Sequence, residues 1–202
     1  VAAISNGNFG NGSPTGASSV VLTTIAPAAA GMYRVTLSGI TFGAANIGSA
    51  TGITVSTSKD FASVGVDTGT LGGQITGVSF TIAAADRVPG ATGKSVTLAF
   101  TTVTTLFAGD AITLNYPVGF IVPGPPPAAA SSIGAFQTMF GGSSSVVLTT
   151  SVAVQAGMYI SVTLFGITFG PATGGSTTGI SVSTSKDAAS VGVASGALVA
   201  AN

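Results

Sequence analysis

The feature that most constrains this chain is that it repeats itself. Ser18-Ser19-Val20-Val21-Leu22-Thr23-Thr24 returns as Ser144-Ser145-Val146-Val147-Leu148-Thr149-Thr150, and Ala30-Gly31-Met32-Tyr33 returns as Ala156-Gly157-Met158-Tyr159. Gly39-Ile40-Thr41-Phe42-Gly43 returns as Gly166-Ile167-Thr168-Phe169-Gly170, and Val55-Ser56-Thr57-Ser58-Lys59-Asp60 as Val182-Ser183-Thr184-Ser185-Lys186-Asp187. The spacing is 126 residues, then 127 after a one-residue insertion between Tyr159 and Val162. Solenoid repeats run to about 20–50 residues, so this period suits a domain-sized unit.

The repeat is incomplete. Residues 143–202 match 17–75, and the second copy has no counterpart of 77–122. A weaker echo lies inside the unit. Ser95-Val96-Thr97-Leu98, Ala108-Gly109 and Ile112-Thr113-Leu114 follow Ser19-Val20-Val21-Leu22, Ala30-Gly31 and Val35-Thr36-Leu37, as one hairpin design used three times. Between the copies lies Pro123-Gly124-Pro125-Pro126-Pro127-Ala128-Ala129-Ala130. Such a Pro run favours extended polyproline II and predicts a stiff spacer.

Apolar residues alternate with polar ones. Tyr33, Val35 and Leu37 oppose Arg34, Thr36 and Ser38; Val78, Phe80 and Ile82 oppose Ser79 and Thr81. Val96, Leu98 and Phe100, then Ile112, Leu114 and Tyr116, continue the pattern. Period two marks half-buried antiparallel strands, and Gly, Ser and Asn clusters separate them at sandwich spacing. Strands are expected near 19–24, 32–38, 52–58, 74–82, 94–103 and 110–116, with a short one near 118–122.

The predicted fold is all-β: an Ig-like antiparallel β-sandwich, one complete unit plus a partial second unit completed by a neighbouring subunit. The expected divisions are an N-terminal arm over 1–18 as candidate donor strand, a complete sandwich over 19–122, the Pro-rich linker over 123–130, and a partial sandwich over 131–202. The insertion at Ile160-Ser161 predicts a β-bulge, because an odd insertion otherwise turns every later side chain to the other face. Half a sandwich cannot bury its inner face and leaves an open edge. Strand addition from a neighbour is one remedy, and repeated head to tail it builds a filament.

Charge is scarce. The 202 residues include five Lys/Arg and five Asp, with no Glu, His or Cys, and 52 are Ser or Thr. Charged residues are 5% of the chain, where a soluble domain averages roughly 25%. Zero net charge argues against nucleic-acid binding, which needs clustered Lys and Arg. Without Cys or His, disulfides and the usual zinc and copper ligand sets are missing, and no cofactor or metal site is expected. No apolar run approaches the length of a transmembrane helix. No charged n-region marks a signal peptide, so any such segment is expected to have been removed already.

Catalytic groups are equally scarce. There is no His for general base work and no Cys nucleophile, and the five Asp are scattered singly, so no enzyme is expected. Gly7-Asn8-Phe9-Gly10-Asn11-Gly12 lacks the Lys and the strand–helix context of a phosphate loop. Lys59-Asp60 and Lys186-Asp187 recur at one place in the repeat. They read as candidate inter-subunit pairs or as solvated turn residues worth under about 1 kcal/mol.

Something other than charge must keep such a surface from sticking. Asn11-Gly12-Ser13 is an N-glycosylation sequon, followed by an unfavourable Pro14. Outward hydroxyls at Thr36, Ser38, Thr54, Ser56, Thr97 and Thr101 are candidate O-glycan sites, or simply good strand formers that bind water. Pro123, Pro125, Pro126 and Pro127, beside Ser131 and Ser132, form the kind of extended Pro/Ser tract that carries sugar in secreted proteins.

The blocks Ser-Val-Thr-Leu-Ala-Phe-Thr-Thr at 95–102, Ala-Gly-Asp-Ala-Ile-Thr-Leu-Asn-Tyr-Pro-Val-Gly-Phe at 108–120 and Gly-Ile-Thr-Phe-Gly at 39–43 resemble repeat units of large secreted proteins of algae and other microbial eukaryotes. They also resemble protomers of glycosylated extracellular fibrils from fresh water. The resemblance implies an extracellular, sugar-coated helical filament of β-sandwich protomers whose partners are further copies of the chain and covalent glycans. The competing expectation is a cell-surface adhesin or cell-wall module that binds carbohydrate.

Overall fold

The computed structural model describes residues 2–4, 9–10, 12–14 and 18–199. It divides into two compact units, Val1–Gly43 and Ala44–Asn202.

Among its described residues the first unit holds the short strands β1 (Ala2–Ile4), β2 (Ser13–Pro14), β3 (Val20–Val21) and β4 (Thr36–Ser38). β1 pairs antiparallel with β4 and β2 with β3. Within the N-terminal arm, expected over 1–18 as a donor to a neighbour, the described strands β1 and β2 pair inside the chain.

The second unit opens with residues 44–72, which form bridges but no strand. Its strands are β5 (Gly73–Gln74), β6 (Thr76–Thr81), β7 (Lys94–Thr101), β8 (Ala111–Asn115), β9 (Ile121–Val122), β10 (Ala128–Ser131), β11 (Phe136–Phe140), β12 (Ser145–Thr150), β13 (Tyr159–Phe169), β14 (Ser181–Thr184) and β15 (Asp187–Ala188). One sheet runs β10-β13-β7-β6 with β9 also on β13; the other runs β11-β12-β8-β14. Both are antiparallel, and only the short β15–β5 contact is parallel.

Alternate side chains of the two sheets share one core. Val96, Leu98 and Phe100 of β7 and Ile112 and Leu114 of β8 join Val146, Leu148, Ile160, Val162, Leu164 and Val182. Phe120 packs with its ring centroid 6.2 Å from that of Phe80 and 6.1 Å from that of Phe169. Aromatic side chains bring the largest buried areas, so this cluster seals the end of the core. The architecture is that of an all-β, sandwich-like domain.

The sandwich is out of phase with the sequence repeat. Its strands come from the back half of the first copy, 76–122, and from the second copy, 128–198. The second copy therefore takes its completing strands from the same chain, not from a neighbour. The Pro run is correspondingly no domain boundary, because β9 before it and β10 after it both pair with β13. Pro127 is buried, and its carbonyl accepts the Thr138 hydroxyl.

The bulge also falls elsewhere. Tyr159, Ile160 and Ser161 pair in regular register with Thr101, Phe100 and Ala99. The shift comes between Phe165 and Ile167, at Gly166 with φ +81°. That left-handed backbone is open to glycine without strain, and its counterpart Gly39, in the copy without the insertion, has φ +70° as well, so the left-handed glycine belongs to the repeat and not to the insertion.

Candidate functional site

The two copies of the repeat fold alike and are covered differently. In the second copy Ile180 bridges Val193 and Thr173 bridges Leu198; in the first, Ile53 bridges Val66 and Asn46 bridges Leu71. The side-chain bonds are duplicated as well. Val182 N–H donates to Ser190 Oγ at 3.1 Å, and Val55 N–H to Ser63 Oγ at 3.0 Å. Ser176 N–H reaches Ser195 Oγ at 3.0 Å, and Ser49 N–H reaches Thr68 Oγ1 at 2.9 Å. Gly175 approaches the Gly196 carbonyl, and Gly48 the Gly69 carbonyl, too closely for any Cβ.

Burial separates them. Ile180, Val182 and Leu198 are fully buried, whereas Ile53 is 47% and Val55 68% exposed. Phe61 is 100% exposed where its counterpart Ala188 is 3% exposed. The difference is the completing strand. β14 pairs along β8, with Val182 opposite Leu114 and Thr184 opposite Ile112. Residues 54–57, the same sequence position in the first copy, form no strand, and this is why the strand expected over 52–58 is absent. A strand is stabilised by its ladder, and an edge without one keeps only local bridges.

The first unit repeats the pattern. Ala2, Ala3 and Ile4 lie opposite Ser38, Leu37 and Thr36, as Ala128, Ala129 and Ala130 lie opposite Phe165, Leu164 and Thr163. Pro14 lies opposite Val20 as Phe140 lies opposite Val146. Residues 33–38 keep the expected alternation, with Tyr33, Val35 and Leu37 partly covered and Arg34, Thr36 and Ser38 exposed. Val146, Leu148, Val162 and Leu164 are fully buried, yet Val20 is 38% exposed and Leu22, Val35 and Leu37 are only partly covered.

The paired Lys-Asp positions show what a completing segment supplies. Asp187 is 1% exposed. Its Oδ2 accepts the N–H groups of Val103 and Thr104 at 3.2 and 3.1 Å, in the β7–β8 connection, while Oδ1 has no hydrogen-bond partner. Lys186 Nζ lies 3.6 Å from Asp110 Oδ1. The Phe107 N–H at 2.8 Å, with smaller help from Ser185 and Lys186, holds the Asp110 carboxyl below its ordinary value. In the first copy Asp60 is exposed and its carboxylate accepts only a local bond from Thr57 Oγ1, at 2.8 Å.

The candidate sugar positions divide by exposure. Thr36, Ser38, Thr54, Ser56, Pro123, Pro125, Pro126 and Ser132 are exposed. Thr97 is half-buried and shares a 3.1 Å hydrogen bond with Thr163. Thr101 is also half-buried, and the Ser131 hydroxyl donates to the Ile133 carbonyl at 2.7 Å. Pro127 is buried and has no room for a glycan. Asn11 lies outside the described residues.

Among the described residues no group of three acidic, His or Cys side chains is placed to hold a metal, and no helix is long and apolar enough to cross a membrane. A shallow cleft of about 270 Å³ runs beside Pro117, Phe120, Pro171 and Ser176, with no titratable side chain in its lining. Comparison with protein-family models, with curated proteins and with solved structures finds no match.

Proposed function

We propose that this chain is a structural protomer that assembles through its uncovered half-repeat into an extracellular, glycosylated filament. One observation carries the reading. Ile180 and Val182 are fully buried in the second copy and their counterparts Ile53 and Val55 stand exposed in the first, on a backbone with the same bridges and the same hydrogen bonds.

Burying an aliphatic side chain is worth about 1.5–3 kcal/mol. Ile53, Val55 and Val66 on the 44–72 segment therefore gain several kcal/mol from a partner that lies beside them as β8 lies beside Val182, and the exposed Phe61 adds to this. Contiguous apolar patches of this kind mark interaction sites. Low charge removes the repulsion that keeps ordinary surfaces apart. Sugar on the exposed Ser, Thr and Pro residues would confine sticking to the uncovered half.

The experiment is concentration-dependent sedimentation of the full chain, followed by electron microscopy of the heaviest fraction. Association with regular fibrils supports the reading. A monomer at every concentration overturns it.

A further inference from the structure

We infer that the first-copy arch, residues 20–38, is completed by the same arch of a second copy of this chain, about a two-fold axis through Ala28. The inference rests on the assembly reading and names its partner and geometry.

The sandwich shows which cover fits. The sequence echo reads as a hairpin, but β7 and β8 lie in different sheets, as do β12 and β13, so each is an arch between the sheets. The two arches pair with each other symmetrically, β7 on β13 and β8 on β12. Leu106 N–H donates to the Val154 carbonyl at 2.9 Å, and Val154 N–H to the Leu106 carbonyl at 2.8 Å. Gly157 N–H reaches the Thr102 carbonyl and Gly109 N–H the Thr150 carbonyl, both at 2.8 Å. The correspondence that carries Leu106 onto Val154 also carries Thr102 onto Thr150 and Gly109 onto Gly157. It carries the pair Thr101–Tyr159 onto Thr149–Ala111. The core is thus built from two arches of one design around an internal pseudo-dyad, and the recurring Ala-Gly pairs at 108–109 and 156–157 are its trace in the sequence.

Residues 20–38 are the third instance of that design, with Ala30-Gly31 in the same place. They repeat β12–β13, whose partner is an arch of its own kind. Of the three described instances, β7–β8 and β12–β13 already cover each other, so the instance left open is 20–38, and a second copy of the chain supplies its like. The register follows from the sandwich. Ala28, the counterpart of Val154, sits on the axis and meets Ala28 of the second copy. Val20 lies opposite Val35 of that copy, as Val146 lies opposite Leu114. The faces brought together, with Val20, Leu22, Val35 and Leu37, carry no charge. Arg34 falls on the exposed side of the alternation, so no ion is buried or opposed. Such a contact is isologous and closes as a pair; growth of pairs into a filament takes a second contact.

The chain has no Cys, so Ala28→Cys introduces a single thiol. A residue on a two-fold axis meets itself across an antiparallel bridge, within disulfide reach. Ser18→Cys, far from the axis, does not. The full-length variants are oxidised mildly and examined by non-reducing electrophoresis, beside sedimentation of the unmodified chain. The expected result is a covalent pair for Ala28→Cys, none for Ser18→Cys, and a sedimenting mass that rises from one chain to two or more. If the chain assembles while Ala28→Cys stays unlinked, or Ser18→Cys links equally, the two-fold pairing is overturned and the assembly reading stands. If the chain stays monomeric at every concentration, both fall.

Discussion

Val55 and Val182 make the same hydrogen bond to the serine eight residues on, at 3.0 and 3.1 Å, yet Val182 is fully buried and Val55 is 68% exposed. Local sequence built both backbones. What differs is tertiary: Leu114 lies opposite Val182, and Val55 has no strand beside it.

Truncations at paired positions should therefore differ in cost. Ile180→Ala removes a fully buried side chain and should lower stability by about 2–5 kcal/mol. Ile53→Ala, at a position 47% exposed, should change it by under about 0.5 kcal/mol. Urea unfolding of the dilute chain measures both. Equal losses would contradict the assignment of an open half.

The acidic pair should behave likewise. Asp187→Ala leaves the Val103 and Thr104 N–H groups without their acceptor, at an expected cost of about 1–3 kcal/mol. Asp60→Ala breaks only a local bond in an exposed turn and should leave the unfolding midpoint unchanged.

Acid should destabilise the sandwich through Asp110. Its folded-state pKa is depressed below 3.8, first by the Phe107 N–H. Its contribution is present above the unfolded value and is lost as pH falls through the folded one. Asp110→Asn should flatten the acid limb of a stability–pH curve and leave its neutral plateau no higher.

Base should act through Tyr116. Burial raises its phenol from 10.0 to about 12, and its hydroxyl donates to the Ser145 carbonyl at 3.3 Å. A raised folded pKa gives stability that is full below pH 10 and lost as pH climbs toward 12. Tyr116→Phe should remove that alkaline loss, measured by thermal unfolding across the same range.

Much of the core was legible because alternation reports a buried face directly. Val96, Leu98 and Phe100, and Ile112, Leu114 and Tyr116, are all buried as their spacing implies. The same alternation at 52–58 leads to the same expectation, and there no strand forms. Val-Ser-Thr-Ser-Lys-Asp is identical at 55–60 and 182–187, so nothing local distinguishes the open copy from the covered one. The phase of the sandwich was hidden for a related reason. The Pro run reads as a spacer by composition, but pairing of β9 and β10 with β13 carries the core across it. The sequence puts the incomplete half in the second copy; in the structure that copy is covered and the exposed side chains Ile53 and Val55 lie in the first.

Hydrogen exchange over a concentration series tests the central claim most directly, that the first copy is an open half of the same sandwich. In the dilute chain the amides of 179–184 should exchange slowly and those of 52–57 fast. As concentration rises and the chain associates, those of 20–38 should slow, while those of 179–184 hold. Equal protection of the two copies in the dilute chain would contradict it; association with no slowing at 20–38 would overturn the two-fold pairing alone.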